Sequence, residues 1–259
     1  MLFAHVLKAL GRHINLRRIV AFHRRRLSRK IFKQAGGVIQ HGPFLGMVLL
    51  DNPRWGQPDQ GAMIFGMYEQ EVLESLANAP ARFKTFVDIG AADGYYAVGL
   101  LKCGKVDRAI CFEADSDGRA TIARLAAKNG VSDKVTILGV ASEHFVDMLS
   151  TYKVNSSETM FLVDIEGAEF KVLTEKVFAS LKGSMFIVET HAHIYNDPEA
   201  EMKSLIKRAS ATHRSTNWYP GPRNPSMFKE LESFPETDRW IICSEGRYEI
   251  QQWLRFDPL

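Results

Sequence analysis

The 259-residue chain is poor in cysteine, and its three, Cys103, Cys111 and Cys243, are odd in number and lack metal-ligand spacing. That argues against a disulfide framework and for buried thiols in a reducing, cytoplasmic compartment. No apolar run approaches the ~18 residues of a membrane-spanning helix. Internal repeats and low-complexity tracts are absent, which excludes a solenoid. The first 34 residues contain no Asp or Glu against ten Lys or Arg. The rest carries 23 basic and 30 acidic residues, so an overall charge of +3 conceals a body at −7. A body of that sign argues against gripping nucleic acid.

What is present suits one α/β domain with an extension: 46% apolar and 24% charged residues, enough for a full core. Residues 1–34 read as a basic helical leader, 35–68 as a turn-rich cap segment and 69–259 as the main domain. In the leader, Phe3, Val6, Leu7, Leu10 and Ile14 recur at helical spacing, and His23-Arg24-Arg25-Arg26-Leu27-Ser28-Arg29-Lys30 follows. It lacks the uninterrupted apolar stretch and small-residue cleavage site of a secretory signal. Three readings stay open: a helix on an anionic membrane surface, a mitochondrial-type presequence, and a solvated helix capping the domain. In the cap segment Gly36-Gly37, Pro43, Pro53 and Gly61 break the chain, with a short strand expected over Gly46 to Leu50.

Three blocks carry the chemistry. Phe86-Val87-Asp88-Ile89-Gly90-Ala91-Ala92-Asp93-Gly94 reads as a strand ending in an acid and a glycine turn, with a helix from Tyr95. Arg108-Ala109-Ile110-Cys111-Phe112-Glu113 is a second strand whose final acid stands 23 residues after Gly90, the spacing that hydrogen-bonds a ribose diol. Phe161-Leu162-Val163-Asp164-Ile165-Glu166-Gly167-Ala168-Glu169 again ends in acids at a glycine turn.

Together these blocks resemble the class I S-adenosylmethionine-dependent methyltransferases, and more narrowly the FkbM-like family. That family has an Asp-x-Gly-Ala-Asn-x-Gly loop, a Phe-Glu pair at the second strand and an Asp-x-Glu-Gly-Ala-Glu block at the fourth. Residues 69–195 carry the resemblance; Ala92 departs from it where the family usually has Asn, with Asp93 adjacent as a substitute polar contact. The implied fold is Rossmann-like, a mostly parallel seven-stranded sheet with helices on both faces. The implied cofactor is S-adenosylmethionine, and the implied acceptor a sugar or other small hydroxylated molecule.

Strand and helix then alternate as a parallel sheet demands. Helices are expected over Tyr68 to Ala79, Tyr95 to Lys102, Asp117 to Asn129, Ser142 to Tyr152 and Ala168 to Leu181, and one opening at Asp197-Pro198. Strands are expected over Thr85 to Ile89, Val135 to Leu138, Thr159 to Asp164 and Ser184 to Thr190. Arg239 to Cys243 and Tyr248 to Leu254 are expected as a closing antiparallel hairpin.

Methyl transfer from a sulfonium needs alignment and removal of a proton from a neutral nucleophile. Glu113 suits the ribose, Gly90, Ala91 and Gly94 the turn against the cofactor, Asp88 or Asp164 its amino-acid moiety, and Ala141 the adenine side. Asp164, Glu166 and His191 are the candidate catalytic group, histidine being suited to base work near neutral pH; Glu169 reads as a partner of a helix start. An acid-rich site with histidines also permits a divalent metal. However, the Asp-Asn pair that metal-assisted class I enzymes add to their Asp is absent from this site, so no metal is assigned. The Asn-Pro-Pro-aromatic loop of base methyltransferases is replaced by Asp-Ile-Glu-Gly. Two rivals stand beside this reading. An NAD-type oxidoreductase would want a Gly-x-Gly-x-x-Gly spacing that is missing; a non-catalytic scaffold at a membrane would keep the fold alone.

Overall fold

The computed structural model describes residues 16–142, 144–247 and 251–259. The apolar leader pattern from Phe3 to Ile14 lies outside them, as do Glu143 and Tyr248 to Ile250. Strands β1 (Thr85–Ile89), β2 (Arg108–Phe112), β3 (Val135–Leu138), β4 (Thr159–Val163), β5 (Met185–Thr190), β6 (His213–Trp218) and β7 (Gln252–Pro258) form one sheet in the order β3-β2-β1-β4-β5-β7-β6. The first five are parallel, and β7 runs antiparallel to both β5 and β6. β1, β4 and β5 are buried along their whole length, which explains their near-continuous apolar sequences. Alternate residues feed two cores. Phe86, Cys111, Leu162 and Ile187 face one, and Val87, Phe112, Phe161 and Val188 the other.

Helix α1 (Leu16–Gln34) lies against the cap segment. Leu27 and Ile31 enter the first core, Ser28 bonds Pro58, and Arg24 pairs with Asp59. Next come α2 (Gln60–Ile64), α3 (Gln70–Ala77), α4 (Tyr95–Lys102) and α5 (Ser116–Asn129). Gly130 in the left-handed region stops α5, and Asp115 caps its start. α6 (Phe145–Thr151) follows β3.

The single helix expected over Ala168 to Leu181 is instead two, α7 (Glu169–Val172) and α8 (Glu175–Ser180). Thr174 turns its hydroxyl to the amide of Val177 as a new cap, and Arg208 takes the freed carbonyls of Phe170 and Leu173. α9 (Pro198–Ala209) opens as expected, with Asp197 accepting from the amide of Ala200.

The closing hairpin differs more. Arg239 to Cys243 belongs to α10 (Glu236–Cys243), which has Pro235 before it and Glu236 and Asp238 in its first turn, both helix-start signals. The antiparallel pair is β6 with β7. β6 reads His-Arg-Ser-Thr-Asn-Trp, and as an edge strand it has no alternating apolar face to announce it. Gly46 to Leu50 supplies only an isolated bridge, Val38 to Val48. Among the described residues no helix is long and apolar enough to cross a membrane.

Candidate active site

The carboxyl ends of the central strands carry a row of acids on one face. Asp88 has the parity of Phe86, and Glu113, Asp164 and Glu189 that of Cys111, Leu162 and Ile187, so all four open toward the core shared with the cap. The register aligns Val163 with Val188, which sets Asp164 beside Glu189 one step further on.

At β1 and β2 the geometry is made by main chain. Gly90 sits at φ 89°, and a Cβ there would lie 1.7 Å from the carbonyl oxygen of Asp164, so only glycine lets β4 pass this close. The amides of Gly90 and Ala91 both donate to the carbonyl of Phe112, tying the turn to β2. Glu113 is 8% exposed, and its oxygens accept from the amides of Ala92 and Asp115, both at 2.7 Å. Asp88 is buried with Oδ2 unpartnered among the described residues, and burial, with Glu113 adding to it, pushes its carboxyl up to about 8. The Tyr95 hydroxyl is likewise buried without a partner.

Asp93 has a different task from the cofactor contact expected of it. Its two oxygens accept from the amides of Arg54, Trp55 and Gly56, at 2.8–2.9 Å, and so clamp the cap to the glycine turn. Ala141 is half-buried in the loop after β3, beside the second core.

At β4 and β5 side chains make the geometry. Arg247 donates to Glu189, Glu69 and Glu245, and Arg223 donates to Glu71 and Glu245. Tyr96 donates to Glu69. Burial pushes the Glu69 carboxyl up to about 8 against the pull of Arg247, and burial with Glu189 and Glu69 close by holds Asp164 well above the usual range. Oδ1 of Asp164 is buried without a hydrogen-bond partner among the described residues. His191 is also buried, and its amide and Nδ1 lie 2.7 and 3.3 Å from Oε1 of Glu169. Burial alone would lower its pKa, but the Glu169 contact outweighs that and raises it. Glu169, read from sequence as a helix-start partner, is fully buried and serves as this orienting group, while also accepting from Gly167.

The structure thus gathers Asp164, Glu166 and His191, and brings Asp88 and Glu113 to the neighbouring strand ends. Glu69, Glu245 and Arg247 were missed, lying far from β5 in sequence with no motif around them. Glu189 could have been found by parity, since it alternates with Ile187. On the other face, His193 and Thr190 stand at a cleft of about 580 Å³ that Lys203, Asn217, Tyr219 and Gln252 also line.

No family model and no curated protein matches the chain. Among solved structures, an O-methyltransferase from Bacillus cereus in complex with SAH is 12% identical, with a TM-score of 0.48, over 74% of this chain and 80% of that one. The M1A22 tRNA methyltransferase TrmK of B. subtilis is 10% identical, with a TM-score of 0.45, over 71% and 64%. These likenesses concern the fold alone. The sheet itself, parallel in the order β3-β2-β1-β4-β5 with an antiparallel β7 between β5 and β6, is Rossmann-like.

Proposed function

We propose that the chain is an S-adenosylmethionine-dependent methyltransferase acting on a hydroxyl of a sugar or other small hydroxylated acceptor. One observation carries this reading: Glu113, at the tip of β2, is already oriented by the amides of Ala92 and Asp115. A carboxylate so held has lone pairs left for a ribose diol and loses no side-chain freedom on binding. The unpartnered buried Oδ2 of Asp88 fits a polar group of the cofactor's amino-acid end. Gly90, Ala91 and Gly94 form the turn beside it, and Ala141 lies on the adenine side.

When bound, the cofactor supplies an electrophilic methyl on a sulfonium. The chain's part is to align the acceptor and promote loss of its proton, the task we give to Asp164, Glu166 and His191. The NAD reading is disfavoured by the antiparallel β7, since the dinucleotide fold runs parallel in the order 3-2-1-4-5-6.

Calorimetry with S-adenosylmethionine, its demethylated product and NAD tests the reading. The first two are expected to bind, and Glu113→Ala to weaken them at least tenfold, by loss of a charge-assisted hydrogen bond of roughly 1.5–3 kcal/mol. Binding of NAD alone, or an unchanged affinity in a folded Glu113→Ala chain, sinks it. Methyl label appearing in bulk tRNA and not in small hydroxylated molecules would overturn the acceptor class.

We also infer that α1 rests on an anionic membrane surface. Phe22 is 72% exposed, and Arg26, Arg29 and Lys33 are exposed at helical spacing from it. Each such charge contributes on the order of 1 kcal/mol near an anionic bilayer. The full chain should co-sediment with phosphatidylserine vesicles at low salt, and Arg26→Glu with Arg29→Glu and Lys33→Glu should abolish this. Equal sedimentation of parent and triple variant rejects the inference.

A further inference from the structure

We propose that Asp164, Glu166 and His191 bind a divalent transition-metal cation where β4 and β5 end. Each offers one ligand atom, and the three atoms lie within 4.8 Å of one another. Nε2 of His191 stands 3.8 Å from Oδ1 of Asp164 and 3.5 Å from Oε2 of Glu166, beyond an ordinary hydrogen bond. A cation with bonds of about 2.0–2.2 Å holds adjacent ligands roughly 3.0–3.6 Å apart, so small side-chain adjustments close the set.

Two features point to a ligand and not merely to neighbouring charges. The first is Oδ1 of Asp164, the oxygen facing the imidazole, which is buried and has no hydrogen-bond partner among the described residues. A buried carboxylate oxygen of that kind is costly unless something satisfies it. The second is the support behind His191. Fully buried Glu169 sits at Nδ1 and accepts from the amides of His191 and Gly167. With the Nδ1 proton directed to Glu169, Nε2 carries its lone pair toward Asp164 and Glu166. A carboxylate behind the imidazole is the recurrent outer support of metal-bound histidine.

One imidazole and two carboxylates suit Mn²⁺, Fe²⁺ or Zn²⁺ better than Ca²⁺, which takes six to eight oxygens. Glu166 is 87% exposed, so the outer side of the site is open to water or an acceptor. The cation's role, unlike its binding, rests on the proposed methyl transfer. The acceptor hydroxyl would coordinate to the cation and release its proton to solvent. Its oxygen would then form a C–O bond as the C–S bond breaks, the electron pair passing to the departing sulfur.

The test is Mn²⁺ titration of the chelator-treated full chain, with free Mn²⁺ read by electron paramagnetic resonance. We expect one ion per chain and a melting temperature raised by the metal. His191→Ala and Asp164→Asn should each weaken uptake at least tenfold, and Glu169→Gln about tenfold. Asp164→Asn keeps the side-chain shape and removes the carboxylate charge, so it should fold yet show no metal-dependent melting shift. Glu113→Ala should bind Mn²⁺ like the parent while losing S-adenosylmethionine, so the two readings fail separately. No Mn²⁺ uptake by the parent, or undiminished uptake in both His191→Ala and Asp164→Asn, overturns the site whatever the cofactor result.

Discussion

At the tip of β2 the Glu113 carboxylate is held by two main-chain amides from its own strand end and the adjoining turn. At the tip of β5 the Glu189 carboxylate is held by Arg247, which also binds Glu69 from the cap side and Glu245. Both acids sit on the same face of one sheet, yet the first is positioned by backbone and the second by a buried network of charges. Backbone amides need only the turn conformation, so that half can be preorganised without help from distant chain. A guanidinium shared by three carboxylates works only while every member is present.

The largest effect should come from breaking the second arrangement. Arg247→Ala leaves Glu69, Glu189 and Glu245 facing one another without their shared cation. Removing one partner of a buried ion pair costs about 3–5 kcal/mol, and this should appear as a lower urea midpoint. Replacing Arg247 by Met together with Glu69→Gln and Glu189→Gln should recover most of that loss, because no uncompensated charge remains. In contrast, Glu113→Ala should leave the midpoint within about 1 kcal/mol of the parent, its two amides lying close to water. Similar losses for Arg247→Ala and Glu113→Ala would erase the distinction between the two halves.

That distinction also governs what the sequence could tell. The strands β1, β3 and β4, the Gly90 turn and the acid after β2 are local patterns in which a few neighbouring residues determine the geometry. Asp164, Glu166 and His191 were legible as a group because each follows a strand end at the same edge. Arg247 was not, since nothing in Ser-Glu-Gly-Arg indicates that its guanidinium reaches back to Glu69. Asp93 shows the opposite limit, a second task that its motif does not announce. Its place in the turn fits a ligand contact, but the amides of Arg54, Trp55 and Gly56 reach it first. The β6 strand went unread because an edge strand needs no apolar face, and α10 was read as a strand. The helix signal of Pro235, Glu236 and Asp238 lay just ahead of the segment read as a strand.

A smaller effect sharpens the first half. Asp88 keeps its proton in the folded chain up to about pH 8, whereas an unfolded aspartate loses it near about pH 4. Between those values the folded state binds the extra proton, so stability present at low pH is lost as the pH rises toward 8, by up to about 1.4 kcal/mol per unit. Asp88→Asn cannot ionise and should lack this slope. From pH 6 to 8 the cofactor-free parent should lose on the order of 2 kcal/mol more than Asp88→Asn, measured as urea midpoints. Parallel curves would mean that Asp88 is ionised and satisfied in the folded chain.

The smallest effect concerns Ala92, which sits at φ 47° with a side chain that gains nothing from the left-handed region. That conformation costs a residue with a Cβ roughly 1–2 kcal/mol, and glycine returns part of the gain through its freer unfolded chain. Ala92→Gly should therefore stabilise by about 0.5 kcal/mol, leaving the amide of residue 92 on Glu113. Asn tolerates the same region, and the resembling family usually has Asn here. If that Asn serves the backbone, Ala92→Asn should raise the melting temperature as Ala92→Gly does and leave cofactor affinity unchanged. If it serves the ligand, affinity for S-adenosylmethionine should rise with Asn and not with Gly. We expect the first outcome, because Glu113 already fixes the amide at this position and the Ala92 side chain is exposed. A tighter cofactor complex in Ala92→Asn alone would show that side chains share in positioning the ligand at this end too, and the contrast with β5 would narrow.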